Sequence, residues 1–403
     1  MRPTNQFQMK SRWIEIKRIK LSFISLTMIL LFLLAGCDNI GQAAVNSNTG
    51  AGKEAIDIAL LYKSKLPSLS AGDFSTLSKD TMNDIMELVA NSGFAVTEAS
   101  GELGFRNPSV VTDFFSKLKT SSNAHMTIIE ICYDGGLVKS DITVNDDKRT
   151  ITMTRVAWKD EKPEITLTEE NNLLDLRYTD KGYLIYKRDI PNNTGCNHDG
   201  YIEPTTMIRV TPLDPKCREY CKKYISIIGY SRNNLFLTDW TSDDMSSIVI
   251  NDLFLKLYNA SHAEALMLNN CPYETNTQTG YTSIPAGDFE PLIMKYFDIT
   301  SEELKKLAAY NADTDTYPIA ASEIFDPGYS IPPEPEVVDY KENKDGTLTL
   351  FVDAMYLEKG TDKAFSHAVT IKTAEDGSYK YISNHVIPTA GDMLLDYVNP
   401  YKN

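Results

Sequence analysis

Residues 125–133, HMTIIEICY, read together with 138–144, 150–158, 164–168 and 173–190, decide the fold class. Each run alternates in hydropathy or is rich in β-branched residues, and side chains on a strand change face with a period of two. Turn formers separate the runs: Asp134-Gly135-Gly136, Asn145-Asp146-Asp147 and Lys162-Pro163. Such spacing predicts a meander of about five antiparallel strands.

Upstream, the period is helical. Ala55, Ile58, Ala59, Tyr62 and Leu66 share one face before Pro67 stops the pattern. Leu77, Met82, Ile85, Met86, Val89 and Ala90 mark a second helix that ends at Gly93. Asn107-Pro108, a cap followed by proline at the first helical position, opens a third with Val111, Phe114, Phe115 and Leu118 as its stripe. Downstream, residues 191–205 (PNNTGCNHDGYIEPT) are a dense run of turn formers and read as a boundary. The order then repeats: helices at 214–226, 243–259, 287–297 and 301–310, a loop rich in proline, glycine and acid from Asn311 to Pro335, and strands near 336–341, 347–357, 364–373 and 379–387. Helices followed by sequential strands indicate an α+β fold rather than a doubly wound parallel sheet. The expected architecture is two helix-then-antiparallel-sheet units, 53–195 and 196–403, behind a lipoprotein signal and a flexible tether.

The signal occupies residues 1–36. Arg2, Lys10, Arg12, Lys17, Arg18 and Lys20 face a single acid, Glu15, and an uncharged apolar run follows from Leu21 to Leu34. Leu34-Ala35-Gly36-Cys37 then forms a lipobox, with small residues before the cysteine. This apolar run is shorter than the roughly 20 residues a membrane span needs. The pattern predicts cleavage before Cys37, a diacylglycerol on its sulfur, and anchoring to the cell membrane facing away from the cytoplasm. Residues 37–52, rich in Asn, Gly, Ala, Ser and Thr, read as the tether.

Removing residues 1–36 takes six of the 40 basic and one of the 55 acidic residues, leaving 34 against 54 and a net charge of −20. Nucleic acid is excluded as a partner, because phosphate neutralisation needs clustered Lys and Arg. Anionic lipid headgroups repel such a surface too, so the acyl anchor must supply membrane attachment. The 22 tyrosines are spread through the predicted strands, and read first as sheet faces and second as a ligand platform. Beyond Cys37 stand Cys132, Cys196, Cys217, Cys221 and Cys271. One or two disulfides among the last four, or buried free thiols, both fit, and spacing does not give connectivity.

Blocks of the second half resemble a known group. Arg209-Val210-Thr211-Pro212-Leu213-Asp214, Cys217-Arg218-Glu219, Ile228-Gly229-Tyr230, Asn233-Asn234-Leu235-Phe236 and Trp240 carry the likeness. Asp252-Leu253-Phe254, Phe289-Glu290, Pro335-Glu336-Val337-Val338, Asp345-Gly346-Thr347, Ala364-Phe365-Ser366-His367 and Tyr381-Ile382-Ser383-Asn384 extend it. The chain resembles a family of uncharacterised lipoproteins, a domain of unknown function, from Gram-positive anaerobes of the clostridial kind. The resemblance implies an anchored protein outside a Gram-positive membrane and brings no catalytic residues. The same blocks also have structural readings: Asp214-Pro215 as a helix cap, Arg218 with Glu219 as an ion pair, Asn233-Asn234 and Asp345-Gly346 as turns, and Phe236, Trp240, Phe254 and Phe289 as core.

Motifs for chemistry fail in turn. Ser116-Lys117-Leu118-Lys119 matches Ser-x-x-Lys, but Lys372-Thr373-Ala374 is not the Lys-Thr-Gly that should follow. Asn311, Asp313 and Asp315 open like an EF-hand loop, yet Thr316 and Ser322 stand where glycine and glutamate are required. Cys196, His198, Cys217 and Cys221 match no standard zinc spacing. His367 and His385, on neighbouring predicted strands, read as a cross-strand pair. No catalytic residue, cofactor or metal ligand is assigned, and Cys37 is the one site residue, for lipidation. The reading is a lipid-anchored binding or interaction module of the cell envelope, with an unidentified ligand or envelope protein as partner. The alternative is an envelope hydrolase whose Asp, Glu or His residues converge only in three dimensions.

Overall fold

The computed structural model describes residues 50–67, 76–190, 204–262, 266, 271–321 and 332–401. The signal, Cys37, the tether up to residue 49 and positions 191–203, with Cys196 and His198, lie outside the described residues.

Helix α1 (Gly50–Leu61) begins inside the stretch read as tether. Helix α2 (Lys79–Ala90) starts where the Ser78 hydroxyl accepts the Thr81 N–H at 3.1 Å, and it buries Met82, Ile85, Met86 and Val89 on one face. Strand β1 (Ala95–Glu98) and helix α3 (Ser109–Leu118) follow. Asn107 does not cap α3 as expected. With φ at 53°, its amide instead donates to the carbonyls of Ala90 and Phe94, both at 2.7 Å, tying the end of α2 to the start of β1.

The meander is β2 (Asn123–Ile131), β3 (Leu137–Asn145), β4 (Lys148–Lys159), β5 (Lys162–Tyr178), β6 (Tyr183–Arg188) and β7 (Thr205–Arg209). These strands and β1 form one curled seven-stranded sheet in chain order. Two features correct the sequence reading. β1 pairs with β2 in parallel, through the α3 crossover, so the sheet is not purely antiparallel. β7, placed by the sequence in the second unit, pairs with β6 and closes the first sheet. One face of this sheet packs Ile129, Ile131, Leu137 and Val156 under α1 and α2; the other packs Met126, Ile128, Ile142 and Ile151 under α3.

After β7 come α4 (Pro215–Tyr220), capped by Asp214, and a π-helical turn at Cys221–Ile225 where one long helix was expected. Strand β8 (Trp240–Thr241) leads to α5 (Leu253–Ser261), which starts ten residues later than the sequence pattern suggests. Strands β9 (Thr275–Asn276) and β10 (Tyr281–Pro285), helices α6 (Ala286–Tyr296) and α7 (Ser301–Leu307), and strand β11 (Thr316–Ala320) come next. The three short strands make a separate sheet, and β11 lies within the span read as loop. Strands β12 (Glu334–Glu342), β13 (Thr347–Tyr356), β14 (Thr361–Thr373) and β15 (Tyr379–Ile387) form an antiparallel sheet completed by β8. Phe236, Trp240, Phe254 and Phe289 are all buried in its core. The fold is α+β.

Two half-buried carboxyls give the fold a pH signature. Burial, with Glu98 nearby, raises Glu130 in β2 from 4.5 to about 6; burial raises Glu334 at the start of β12 to about 7. The folded state therefore holds these protons more tightly than the unfolded chain. The contribution of these two groups to stability is full below pH 4.5 and is lost as pH rises through about 6 and then about 7. Allowing for partial exposure, the loss should be roughly 2–3 kcal/mol. Urea titrations from pH 4.5 to 8 check it: the slope should flatten in a Glu130→Gln/Glu334→Gln double variant, and an unchanged slope refutes the assignment.

Candidate functional site

Among the described residues, an open groove of about 530 Å³ lies between the end of α3, the turn joining β5 to β6, and the residue two past β7. Its volume falls in the ~300–1,000 Å³ range usual for small-ligand sites. Phe115 and Leu118, one turn apart on α3, form its apolar side. The Tyr178 ring stacks on Phe115 with centroids 5.8 Å apart and planes at 25°. The Tyr178 hydroxyl meets Thr211 Oγ1 at 2.8 Å, which fixes the phenol. Lys119 and Asp180, both exposed, bring one charge of each sign to the rim.

The turn is built tightly. The Gly182 N–H donates to Thr179 O at 2.9 Å, and the Gly182 carbonyl accepts from the N–H groups of both Val210 and Thr211, at 2.9 and 3.1 Å. Gly182 has φ at +83°, and a Cβ there would sit 2.3 Å from Thr211 Cβ. Glycine is therefore required on two grounds, left-handed backbone and close approach. Asp180 faces the groove while the next residue, Lys181, enters the contact between the two large sheets.

That contact is a charged seam. Tyr183 and Arg209, register partners on β6 and β7, face Glu336, Asp353 and Ser366, register neighbours on β12, β13 and β14. Glu336 accepts from Tyr183 Oη and Arg209 Nη1, each at 2.6 Å, and lies 3.4 Å from Lys181 Nζ. Asp353 accepts from Ser366 Oγ at 2.6 Å and Lys181 Nζ at 2.9 Å. Lys181 also donates to the Asp362 carbonyl at 2.7 Å. Burial pushes the Asp353 carboxyl up, but Ser366 and Lys181 outweigh it and hold it below its ordinary value. Burial, helped by Glu336, keeps the Tyr183 phenol protonated. Both carboxylates are thus spent on fixed donors, which suits docking of one sheet on the other. A second contact joins Lys222 to Glu102 at 3.8 Å, with Arg218 Nη1 at 3.5 Å from the Glu102 carbonyl.

A family model matches residues 50–400, from α1 through both large sheets and the groove between α3 and the β5–β6 turn. The chain belongs to DUF6070, a family of unknown function. No curated protein and no solved structure matches it.

Within this DUF6070 chain the candidates read from sequence fall apart. His367 pairs with Val386 and His385 with Ala368, so adjacent positions put the two rings on opposite faces. His367 is fully buried, held by Tyr230 Oη at 2.9 Å and Asn384 Oδ1 at 2.8 Å, and burial lowers it to about 4. It is a neutral core residue. His385 is exposed beside Asp239 at 3.3 Å. Arg218 reaches back to Glu102 rather than pairing with Glu219. Cys132, Cys217, Cys221 and Cys271 are free thiols, and among the described residues no three His, Cys, Asp or Glu side chains gather as a metal site. Asn311 Oδ1 accepts the N–H groups of Asp313 and Thr314, forming a turn cap. Ser116 stands exposed on α3, while Lys119 contributes to the groove. Sequence reading missed the groove, although it noted Thr211, and Phe115 and Leu118 on α3, for other reasons.

Proposed function

We propose that the chain is a lipid-anchored, extracytoplasmic binding module of the cell envelope, and that the groove beside α3 seats its ligand. The observation that carries the binding role is the stacked Phe115–Tyr178 wall beside a rim holding one cation, one anion and threonine hydroxyls. Such a surface suits a small amphipathic molecule with one flat ring. The lipobox at Leu34–Cys37 supports the location. A hydrolase is the weaker reading, because Glu336 and Asp353, the cross-strand carboxylates of the seam, are already bonded to Tyr183, Arg209, Lys181 and Ser366.

Two measurements test this. Crystals soaked with single-ring fragments, phenols and pyranosides among them, should collect density in the groove, and Thr211→Trp should abolish it. Fragments gathering only elsewhere would remove the groove from consideration. Cells fed labelled palmitate should incorporate label into the wild-type chain and not into Cys37→Ser, with intact mass showing loss of residues 1–36. A wild-type chain that retains its leader and stays unlabelled would sink the anchoring claim.

A further inference from the structure

We infer that the groove beside α3 selects a free zwitterion built on a flat apolar ring, as an aromatic α-amino acid is. This rests on the groove being the binding site and adds what the site chooses. Lys119 closes α3 at its C-terminal end, and Asp180 sits in the turn joining β5 to β6. Both line the groove, one on each bank, and both are exposed. Among the described residues neither the Lys119 ammonium nor the Asp180 carboxylate has an ion-pair or hydrogen-bond partner, and the two do not pair with each other. That sets them apart from the charges next to them: Lys181 is held by Asp353 at 2.9 Å and Arg209 by Glu336 at 2.6 Å. The turn beneath Asp180 is fixed by Lys181 in the seam and by the Gly182 carbonyl, which accepts from Val210 and Thr211. Asp180 is therefore presented from a base that binding need not reorder.

The hydroxyls of the groove are already engaged. Tyr178 Oη and Thr211 Oγ1 bond to each other at 2.8 Å, and Thr179 Oγ1 accepts the Tyr183 N–H at 3.1 Å. The side-chain groups left to answer a polar ligand are one ammonium and one carboxylate, on either side of the half-buried, stacked rings of Phe115 and Tyr178. A monoanion would be drawn to Lys119 and repelled by Asp180, and a monocation would meet the converse. A neutral pyranoside answers neither charge, and a nucleotide brings more negative charge than one lysine neutralises. A zwitterion pairs with both at once, carboxylate to Lys119 and ammonium to Asp180, and lays its ring against the Phe115–Tyr178 wall.

The test is calorimetry on the full chain in detergent with four probes of one skeleton: phenylalanine, phenylpropionate (no ammonium), phenethylamine (no carboxylate) and phenylpropanol (neither charge). Phenylalanine should bind about three- to fivefold tighter than either singly charged probe and about tenfold or more tighter than the alcohol, the scale of exposed ion pairs. Lys119→Gln should erase the preference over phenethylamine and keep that over phenylpropionate; Asp180→Asn should do the reverse. Both side chains are exposed and unbonded, so neither substitution should move the melting temperature. A singly charged or neutral probe that binds as well as phenylalanine, or preferences that survive both substitutions, overturns the zwitterion and leaves the groove as a site for apolar rings. Binding of none of the four overturns it too, and the fragment soaks then decide whether the groove falls with it.

Discussion

Replacing Glu336 by alanine should lower the unfolding free energy by about 3–5 kcal/mol, the range seen when one partner is removed from a buried ion pair. Glu336 is 8% exposed and accepts from Tyr183 and Arg209, so its removal strands the Arg209 guanidinium and a phenol between the sheets, while Lys181 keeps Asp353. Glu336→Gln should cost less, because the amide oxygen still receives the Tyr183 hydroxyl. Since the group is buried, the loss should change little between low and high salt. Urea denaturation of the three proteins measures this. A loss under about 1 kcal/mol would mean that the seam behaves as a surface ion pair. Acid gives an independent reading: Asp353 sits below its ordinary value, so its contribution holds at neutral pH and is lost only as pH falls through that lowered value.

An effect of similar size is expected at Phe289. This fully buried ring is the middle of a stack, 5.4 Å from Phe254 on α5 with planes at 7°, and 4.1 Å from Tyr317 on β11 with planes at 8°. It therefore joins two helices to the small sheet. Phe289→Ala should cost about 3–5 kcal/mol, the usual loss for emptying an aromatic site in a core. Tyr317 fluorescence or hydrogen exchange in β10 and β11 should loosen before the rest of the fold. If β10 and β11 keep wild-type protection while global stability falls, the stack does not hold the small sheet. Phe289→Leu should recover part of the loss by refilling the space.

Legibility followed the length of the pattern. β13, β14 and β15 each run nine residues or more with one face buried, and their bounds fall within a few residues of the sequence reading. β1 has four residues, all buried, and so shows no alternation; β8 and β9 have two each. Elements so short are specified by neighbours rather than by their own period. β7 was lost because it follows the turn-rich break, and proximity in sequence suggested the wrong sheet. Parity undid the histidine pair: His367 and His385 sit one register step apart, and one step reverses the face. The groove was invisible for another reason. Its parts come from positions near 115, 180 and 211, and the Phe115–Tyr178 stack and the Gly182–Thr211 approach bring them together.

The strand orders of the two large sheets also set when each can form. In the first, every neighbour is the next strand in the chain, so pairing proceeds by local steps and is complete once Arg209 is available. In the second, Trp240 on β8 waits for Asn384 on β15. Buried Asp252 waits longer still, for the Tyr401 hydroxyl that reaches it at 2.7 Å. Long loops must close before such contacts repay their entropy, which slows them. A chain delivered N-terminus first would therefore carry a finished first sheet while the second still lacked its edge and its final clasp. Truncations near the C-terminus should then trap a half-assembled species, with the first sheet protected and the second open to proteases.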